Sequence, residues 1–398
     1  MAADKAAVPR SNDVPLLIAG GGIGGLAAAL AVARTGRPVR VLERAAQFGE
    51  IGAGLQLAPN ASHVLEHLGI LDAIEPYAVY PRRIVWRDAR SGERVTALDL
   101  GTAFRARYGH PYVVMHRSDL LDVLLAACRA DDRIVLEPSK TVVEIEEHDD
   151  GVRVACADGT SYDGVAAVAA DGLWSRLRKL VHDDGEPVAA RYVAYRGAIP
   201  ISELWEGAGL EDVTLWTAPG LHFVQYPIRG GQLFNQVAVF TSDRYRPDSE
   251  DWAKPDELDA RFAVGCDAVR AGIARIGRDR YWTMYDREPI ARWSRGRLAL
   301  LGDAAHPMLQ YMAQGACQAL EDGVVLAAAL AEHDDPADAF LAYRDRRYLR
   351  TARVQYSARL FGEIWHAGDV GATLRDTMLA SRPDDDFSHT DWLYGWRP

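Results

Sequence analysis

Gly20, Gly22 and Gly25 stand in the spacing Gly-x-Gly-x-x-Gly, and Glu43 follows 18 residues after the last of them (43 − 25). These are residues for holding a dinucleotide. The first glycine permits a tight turn, the second lets the backbone approach a pyrophosphate, and the third lets a helix pack close against a strand. Phosphate charge then meets the positive end of that helix. An acid about 20 residues further on accepts hydrogen bonds from ribose hydroxyls. Its charge also repels a 2′-phosphate, which disfavours NADP at this position. The pattern serves NAD and FAD alike, so the choice between them must come from the rest of the chain.

Such a site needs a strand, a turn and a helix to position it. Leu16 to Ala19 form a short apolar run suited to a strand buried on both faces. An alanine-rich stretch from Ile23 to Thr35 follows, with Leu26 and Leu30 one turn apart and Gly36 placed to end the helix. Val39, Val41 and Leu42 make a second strand that stops at Glu43, completing a βαβ unit. The segment Val14–Ala33 carries no charge and has the length of a membrane helix. Five glycines inside it favour the strand–turn–helix reading instead.

The middle of the chain has another rhythm. Short alternating runs over residues 82–96 and 192–238 predict antiparallel strands, and Val142 to Ala155, with a turn at Asp149–Gly151, predicts a hairpin. A buried strand returns at Leu298–Leu301, and the pattern is helical after Pro336. Residues 381–390 read as a mobile loop. The fold class is therefore α/β: a Rossmann-like nucleotide-binding domain interrupted by an inserted mixed β-sheet substrate domain and followed by C-terminal helices. The expected division is 1–78, 105–186 and 295–332 for nucleotide binding, 79–104 and 187–294 for the insertion, and 333–398 for the helices.

Composition narrows the function classes. The chain has 398 residues and a net charge of −11, whereas nucleic-acid binding needs a concentrated positive face. Cys128, Cys156, Cys266 and Cys317 lie far apart without C-x-x-C spacing. They read as buried thiols of a reducing compartment and not as disulfides or a metal site. With no apolar stretch of a signal peptide before Asp13, the expectation is a cytoplasmic protein with no membrane span.

Three segments together resemble the single-component FAD-dependent aromatic hydroxylases. They are the glycine fingerprint ending at Glu43, the stretch Ala170-Asp171-Gly172-Leu173-Trp174-Ser175 with Arg178, and Gly302-Asp303-Ala304-Ala305-His306-Pro307. Their order and spacing fit that family along nearly the whole chain, with Ala170 standing where many relatives have glycine. The resemblance implies FAD as cofactor and the aromatic hydroxylase fold. It implies that Arg44 and Arg117 reach the cofactor and that Asp171 serves both the nucleotide fold and the nicotinamide approach. It also implies that Gly302 and Asp303 meet the ribityl chain. A helix beginning near Gly315 and Ala316 would aim its positive end at the flavin's pyrimidine edge. His306 reads as a structural histidine beside that loop.

Within the family, the chain resembles 3-hydroxybenzoate 6-hydroxylases and, slightly further off, salicylate hydroxylases. The segments that carry this are His222-Phe223-Val224-Gln225-Tyr226-Pro227, Leu309-Gln310-Tyr311 and Asp391-Trp392-Leu393-Tyr394-Gly395. That likeness implies His222 and Gln310 at the substrate's phenol, and Tyr226 as a donor to its carboxylate. A phenol drawn toward a neutral imidazole becomes electron-rich, which attack by a flavin hydroperoxide requires. With one glycine fingerprint and no second nucleotide-binding unit, NADH or NADPH is expected as a transient co-substrate beside O2. The implied reaction is 3-hydroxybenzoate to gentisate. Salicylate 1-hydroxylation with decarboxylation and a non-catalytic flavin-binding protein remain the alternatives, while a flavin halogenase lacks its Trp-x-Trp-x-Ile-Pro element here. Family habit points to a homodimer through the C-terminal helices.

Overall fold

The computed structural model describes residues 14–49, 52–246 and 252–398. Its first layer is a six-stranded sheet in the order Ser294–Arg295, Leu298–Leu300, Ala166–Ala169, Leu16–Ala19, Val39–Leu42, Ile134–Glu137. All pairings are parallel except the edge pair Ser294–Arg295 with Leu298–Leu300. Near-continuous apolar runs are what a parallel sheet covered on both faces requires, and Leu16, Leu17, Ile18, Ala166 and Val168 are all buried.

The uncharged segment after Val14 resolves into the strand Leu16–Ala19 and the helix Ile23–Arg34, with Thr35 as C-cap and Gly36 just beyond at φ +91°. That left-handed position is the one glycine tolerates best. No helix among the described residues is long and apolar enough to cross a membrane. The helix Gly315–Glu332 lies directly against Ile23–Arg34. Gly323 makes this possible, since a Cβ there would sit 2.8 Å from the Ala28 nitrogen.

The second layer is a seven-stranded sheet ordered Tyr281–Asp286, Val188–Pro200, Leu233–Thr241, Leu221–Ile228, Val213–Ala218, Arg83–Asp88, Arg94–Asp99. The strands expected in residues 82–96 and 192–238 are here, but the sheet is mixed: Val213–Ala218 runs parallel to Arg83–Asp88. Strands 125 residues apart (213 − 88) can adopt that pairing because no hairpin constrains it. The hairpin Val142–His148 with Gly151–Cys156 gains a third strand, Ser161–Gly164. All four cysteines are free; three are buried and Cys266 is partly exposed, a modest departure from four buried thiols.

Two helices, Pro336–Trp365 and Asp369–Ala380, close the fold. The first is started by Asp335, whose side chain accepts from the Ala337 amide. Residues 381–390 are not a loose loop. Asp384 accepts the Asp99 amide at 2.8 Å through its carbonyl, Phe387 is buried against Phe104, and the Tyr108 hydroxyl bonds to Phe387 and Thr390. Their polar composition hid one buried aromatic anchor.

Candidate active site

A cavity of about 1210 Å³ runs between the two sheets, walled also by the C-terminal helices. One end is built of the glycine turn. Gly20 sits at φ +117°, and a Cβ on it would lie 2.2 Å from the Ala170 oxygen. A Cβ on Gly25 would lie 2.0 Å from the Gly20 oxygen, so neither position admits a side chain. Gly22 caps the helix Ile23–Arg34 with no side-chain hydrogen bond, and the first turn contains no acid. Its amides are thus left for an anion.

Glu43 accepts from the Gly21 amide at 2.6 Å and from the Ala45 amide at 2.8 Å, one bond to each carboxylate oxygen. A carboxylate has about four acceptor sites, so capacity for ribose hydroxyls is left over. Arg44 beside it is exposed. Arg117 opens the helix Arg117–Arg129 and lines the cavity; burial disfavours its charge and the Asp303 carboxylate opposes that effect. Gly52 lets it lie close, since a Cβ there would come within 3.1 Å of its Cδ.

Asp171 is placed differently from the others. Its neighbours Ala170 and Gly172 line the cavity, whereas Asp171 turns inward and accepts the Arg176 amide at 3.1 Å. Its Oδ1 is buried without a partner, and burial pushes its carboxyl up from the usual range. Gly302 (φ +61°), Asp303, Gly315 and Ala316 all face the cavity. The helix Gly315–Glu332 begins there with neither a side-chain cap nor a first-turn acid. A glycine-walled end, two uncapped helix starts and a half-buried arginine fit an elongated, doubly phosphorylated cofactor.

Behind this wall is a buried ionic network. His306 Nε2 lies 2.6 Å from Asp322, which also accepts the Gly302 amide at 2.9 Å and Arg347 Nε at 2.7 Å. Arg347 pairs further with Glu321, as does Arg350 at 2.7 Å. His306 therefore holds the Gly302 turn from behind and does not line the cavity.

The other end of the cavity gathers His222, Gln310 and Tyr226. His222 is fully buried on the strand Leu221–Ile228, with Nε2 3.4 Å from Gln310 Nε2 and Nδ1 2.7 Å from His366 Nε2. Burial, then His366 and Arg196, hold its pKa well below the usual histidine range, so it is a neutral base. Tyr226 is buried beside Gln56, and its burial raises the phenol's pKa. It is a neutral donor at any ordinary pH.

Arg196 was not anticipated from the sequence. It sits on the strand Val188–Pro200, lines the cavity, and donates from Nη2 to Gln310 Oε1 at 2.6 Å while its Nε is buried without a partner. A readable signal existed: Tyr192, Ala194 and Arg196 share one strand face by period two, and the first two belong to the apolar cluster that includes Tyr311. An arginine on an apolar face asks for an anion. His366 and Trp365 were also missed, because only helix packing brings them to His222.

The FAD-binding domain family model matches residues 13–357. The chain is 39% identical over 382 residues to 3-hydroxybenzoate 6-hydroxylase 1 of Aquipseudomonas alcaligenes, covering 96% of this chain and 97% of the relative. It is 40% identical over 390 residues to 3-hydroxybenzoate 6-hydroxylase of Polaromonas naphthalenivorans, covering 96% of each. Among solved structures, a single-substitution variant of HpxO of Klebsiella pneumoniae, complexed with FAD, superposes with a TM-score of 0.84 at 29% identity, covering 96% of this chain and 99% of that one.

Proposed function

Since the chain belongs to the FAD-binding domain family and is an FAD-dependent monooxygenase, we propose that it hydroxylates 3-hydroxybenzoate at C6 to give gentisate. The observation that carries this reading is the pairing of a buried neutral imidazole, His222, with a half-buried cation, Arg196, across Gln310 at one end of the cavity. A small phenolic acid has one group for each: a phenol for the base and a carboxylate for the cation.

The cofactor, when bound, supplies a hydride acceptor for NADH or NADPH and the activation of dioxygen. The protein's part is binding, dryness and one proton. Gly20, Gly22, Gly25, Glu43, Arg117, Gly302, Asp303, Gly315 and Ala316 would hold the cofactor, with Arg44 at its exposed adenosine side and Asp171 keeping the adjoining turn in shape. Arg196 and the Tyr226 hydroxyl would meet the substrate carboxylate. Gln310 would orient the phenolic oxygen, and His222 Nε2 would take its proton. An ionised phenol pushes electron density to the ring carbon opposite it, and in 3-hydroxybenzoate that carbon is C6.

Four unpaired thiols support a cytoplasmic location. Leu349, Tyr356, Leu360, Val370 and Met378, all exposed on the two C-terminal helices, support a homodimer through that face. The test of the function is a panel of hydroxybenzoates offered to the yellow holoenzyme, with nicotinamide oxidation and the product followed together. Gentisate from 3-hydroxybenzoate is expected. Catechol from salicylate as the sole coupled product would replace this reading.

A further inference from the structure

His63 and Glu66 stand one turn apart on the helix Pro59–His67, and His110 follows the turn that ends the helix Thr102–Tyr108. Side chains three residues apart share one helix face. Glu66 Oε2 lies 3.0 Å from His110 Nε2 and 3.9 Å from His63 Nδ1. One ligand atom from each residue lies within 4.8 Å of both others. Zinc bound tetrahedrally at about 2.0–2.2 Å holds its ligand atoms about 3.3 Å apart. The two spacings from Glu66 bracket that value.

His63 is prepared for an ion by the bond on its far side. Its Nε2 lies 2.8 Å from the Tyr108 carbonyl oxygen, which can only accept, so Nε2 carries the hydrogen. The neutral ring then presents a bare lone pair on Nδ1. Such a bond to a carbonyl is what fixes a metal-binding histidine in its tautomer and orientation. Tyr108 is itself held in place, because its hydroxyl bonds to Phe387, Thr390 and Asp391. Gly109, at φ +85°, turns the chain so that the His110 ring meets the His63 ring edge-on, 4.4 Å between centroids. A Cβ on Gly109 would come within 3.3 Å of His63 Cε1, so this close approach favours glycine.

The cluster is shielded but reachable. The His63 and His110 side chains are 8% and 12% exposed, while Glu66 at 62% leaves an entry path from solvent. Two imidazoles and a carboxylate suit a transition-metal ion, whereas magnesium and calcium take oxygen ligands. Glu66 also stands in the last turn of its helix, the negative end. Arg397 works against the ion, since its Nη2 would lie 3.5 Å from a Cβ on Gly109. That charge and the lack of a fourth protein ligand among these residues make the affinity lower than that of a closed four-ligand site.

We propose that His63, Glu66 and His110 bind one zinc ion, with water in the fourth position, as a clip between the helix Pro59–His67 and the turn at Gly109. None of the three lines the cavity, so the site stands apart from the hydroxylase reading. The segments it joins do reach the cavity wall. Asn60, one turn before His63, donates to Gln314 and Glu321, and Tyr112, two residues after His110, lines the cavity. The ion's effect is therefore on stability and not on the reacting atoms.

The test uses holoenzyme stripped with EDTA, gel-filtered and titrated with zinc chloride in a calorimeter, without substrate. Wild type should bind one zinc per chain at this site, and its melting temperature should rise as zinc is added. Glu66→Gln and His110→Asn change partly or fully exposed side chains and should keep their flavin. Each should weaken zinc binding at least about 100-fold, the upper end of what even an outer partner of a metal site is worth. Excess magnesium should leave the zinc in place. A wild type that takes up no zinc overturns the site, as do variants that bind it like wild type. Displacement by magnesium overturns it too, because that marks an all-oxygen site. Zinc retained by both variants but lost from Cys266→Ser would place the ion on the partly exposed thiol instead. None of these outcomes bears on which aromatic acid is hydroxylated.

Discussion

Arg196 Nη2 donates to Gln310 Oε1 at 2.6 Å, joining a strand of the large sheet to the turn that follows Asp303 across 114 residues of sequence. The bond fixes the amide of Gln310 with its nitrogen toward His222 and keeps a half-buried guanidinium at the His222 end of the cavity. One contact thus sets both the tautomer of His222 and the place of the cation.

Replacing Arg196 with Met should weaken binding of the carboxylate substrate. Losing one charged hydrogen bond costs about 1.5–3 kcal/mol, roughly a 10- to 150-fold rise in KM. Steady-state kinetics with 3-hydroxybenzoate measures it. A phenol without the carboxylate should lose far less, and equal losses on both would remove Arg196 from the carboxylate.

His222→Ala should slow ring hydroxylation by about 10²- to 10⁴-fold, the usual worth of a positioned base. Flavin reduction should continue, with reducing equivalents leaving as hydrogen peroxide, and the flavin should stay bound. Peroxide and aromatic product are counted against nicotinamide consumed. Full coupling in the variant would exclude His222 as the base.

Glu43→Ala removes the acceptor of the Gly21 and Ala45 amides as well as any ribose contact. Flavin retention should fall by about 10-fold or more, from the loss of one to two hydrogen bonds. Gel filtration reads this directly, and a variant that elutes fully yellow would show that the acid does not hold the cofactor.

Arg347→Met leaves Asp322 and Glu321 buried with fewer partners. Breaking a buried pair from one side costs about 3–5 kcal/mol, so the melting temperature should drop markedly. A change within experimental error would mean that the network contributes shape without net stability.

Acid should destabilise the fold through His366. Its burial, aided by Arg261, lowers the ring's pKa to about 3 from 6.5. The unfolded chain therefore binds a proton below about pH 6.5 that the folded chain refuses until about pH 3. Stability falls as pH drops through that window and is unaffected by this group above it. His366→Gln should flatten the decline in denaturant-melt series over that range; an identical slope would place the acid sensitivity elsewhere.

What the sequence determined by itself is the part of the protein whose chemistry is local. The turn at Gly20, the uncapped helix start at Gly22 and the Glu43 carboxylate all lie within one βαβ unit, and the turn's clashes involve nearby backbone and the adjoining strand end at Ala170. A spacing of a few residues encodes them because φ angles and helix ends are properties of short segments. His222 and Gln310 were legible only through likeness to a family. Tertiary structure alone decided that Arg196 and His366 complete their site and that Phe387 pins a polar tail segment. It also decided that Asp171 turns away from the cavity. Those outcomes depend on which strand faces meet and where a 30-residue helix ends against another sheet. Such long-range packing is a sum of many weak contacts with no signature at any one residue.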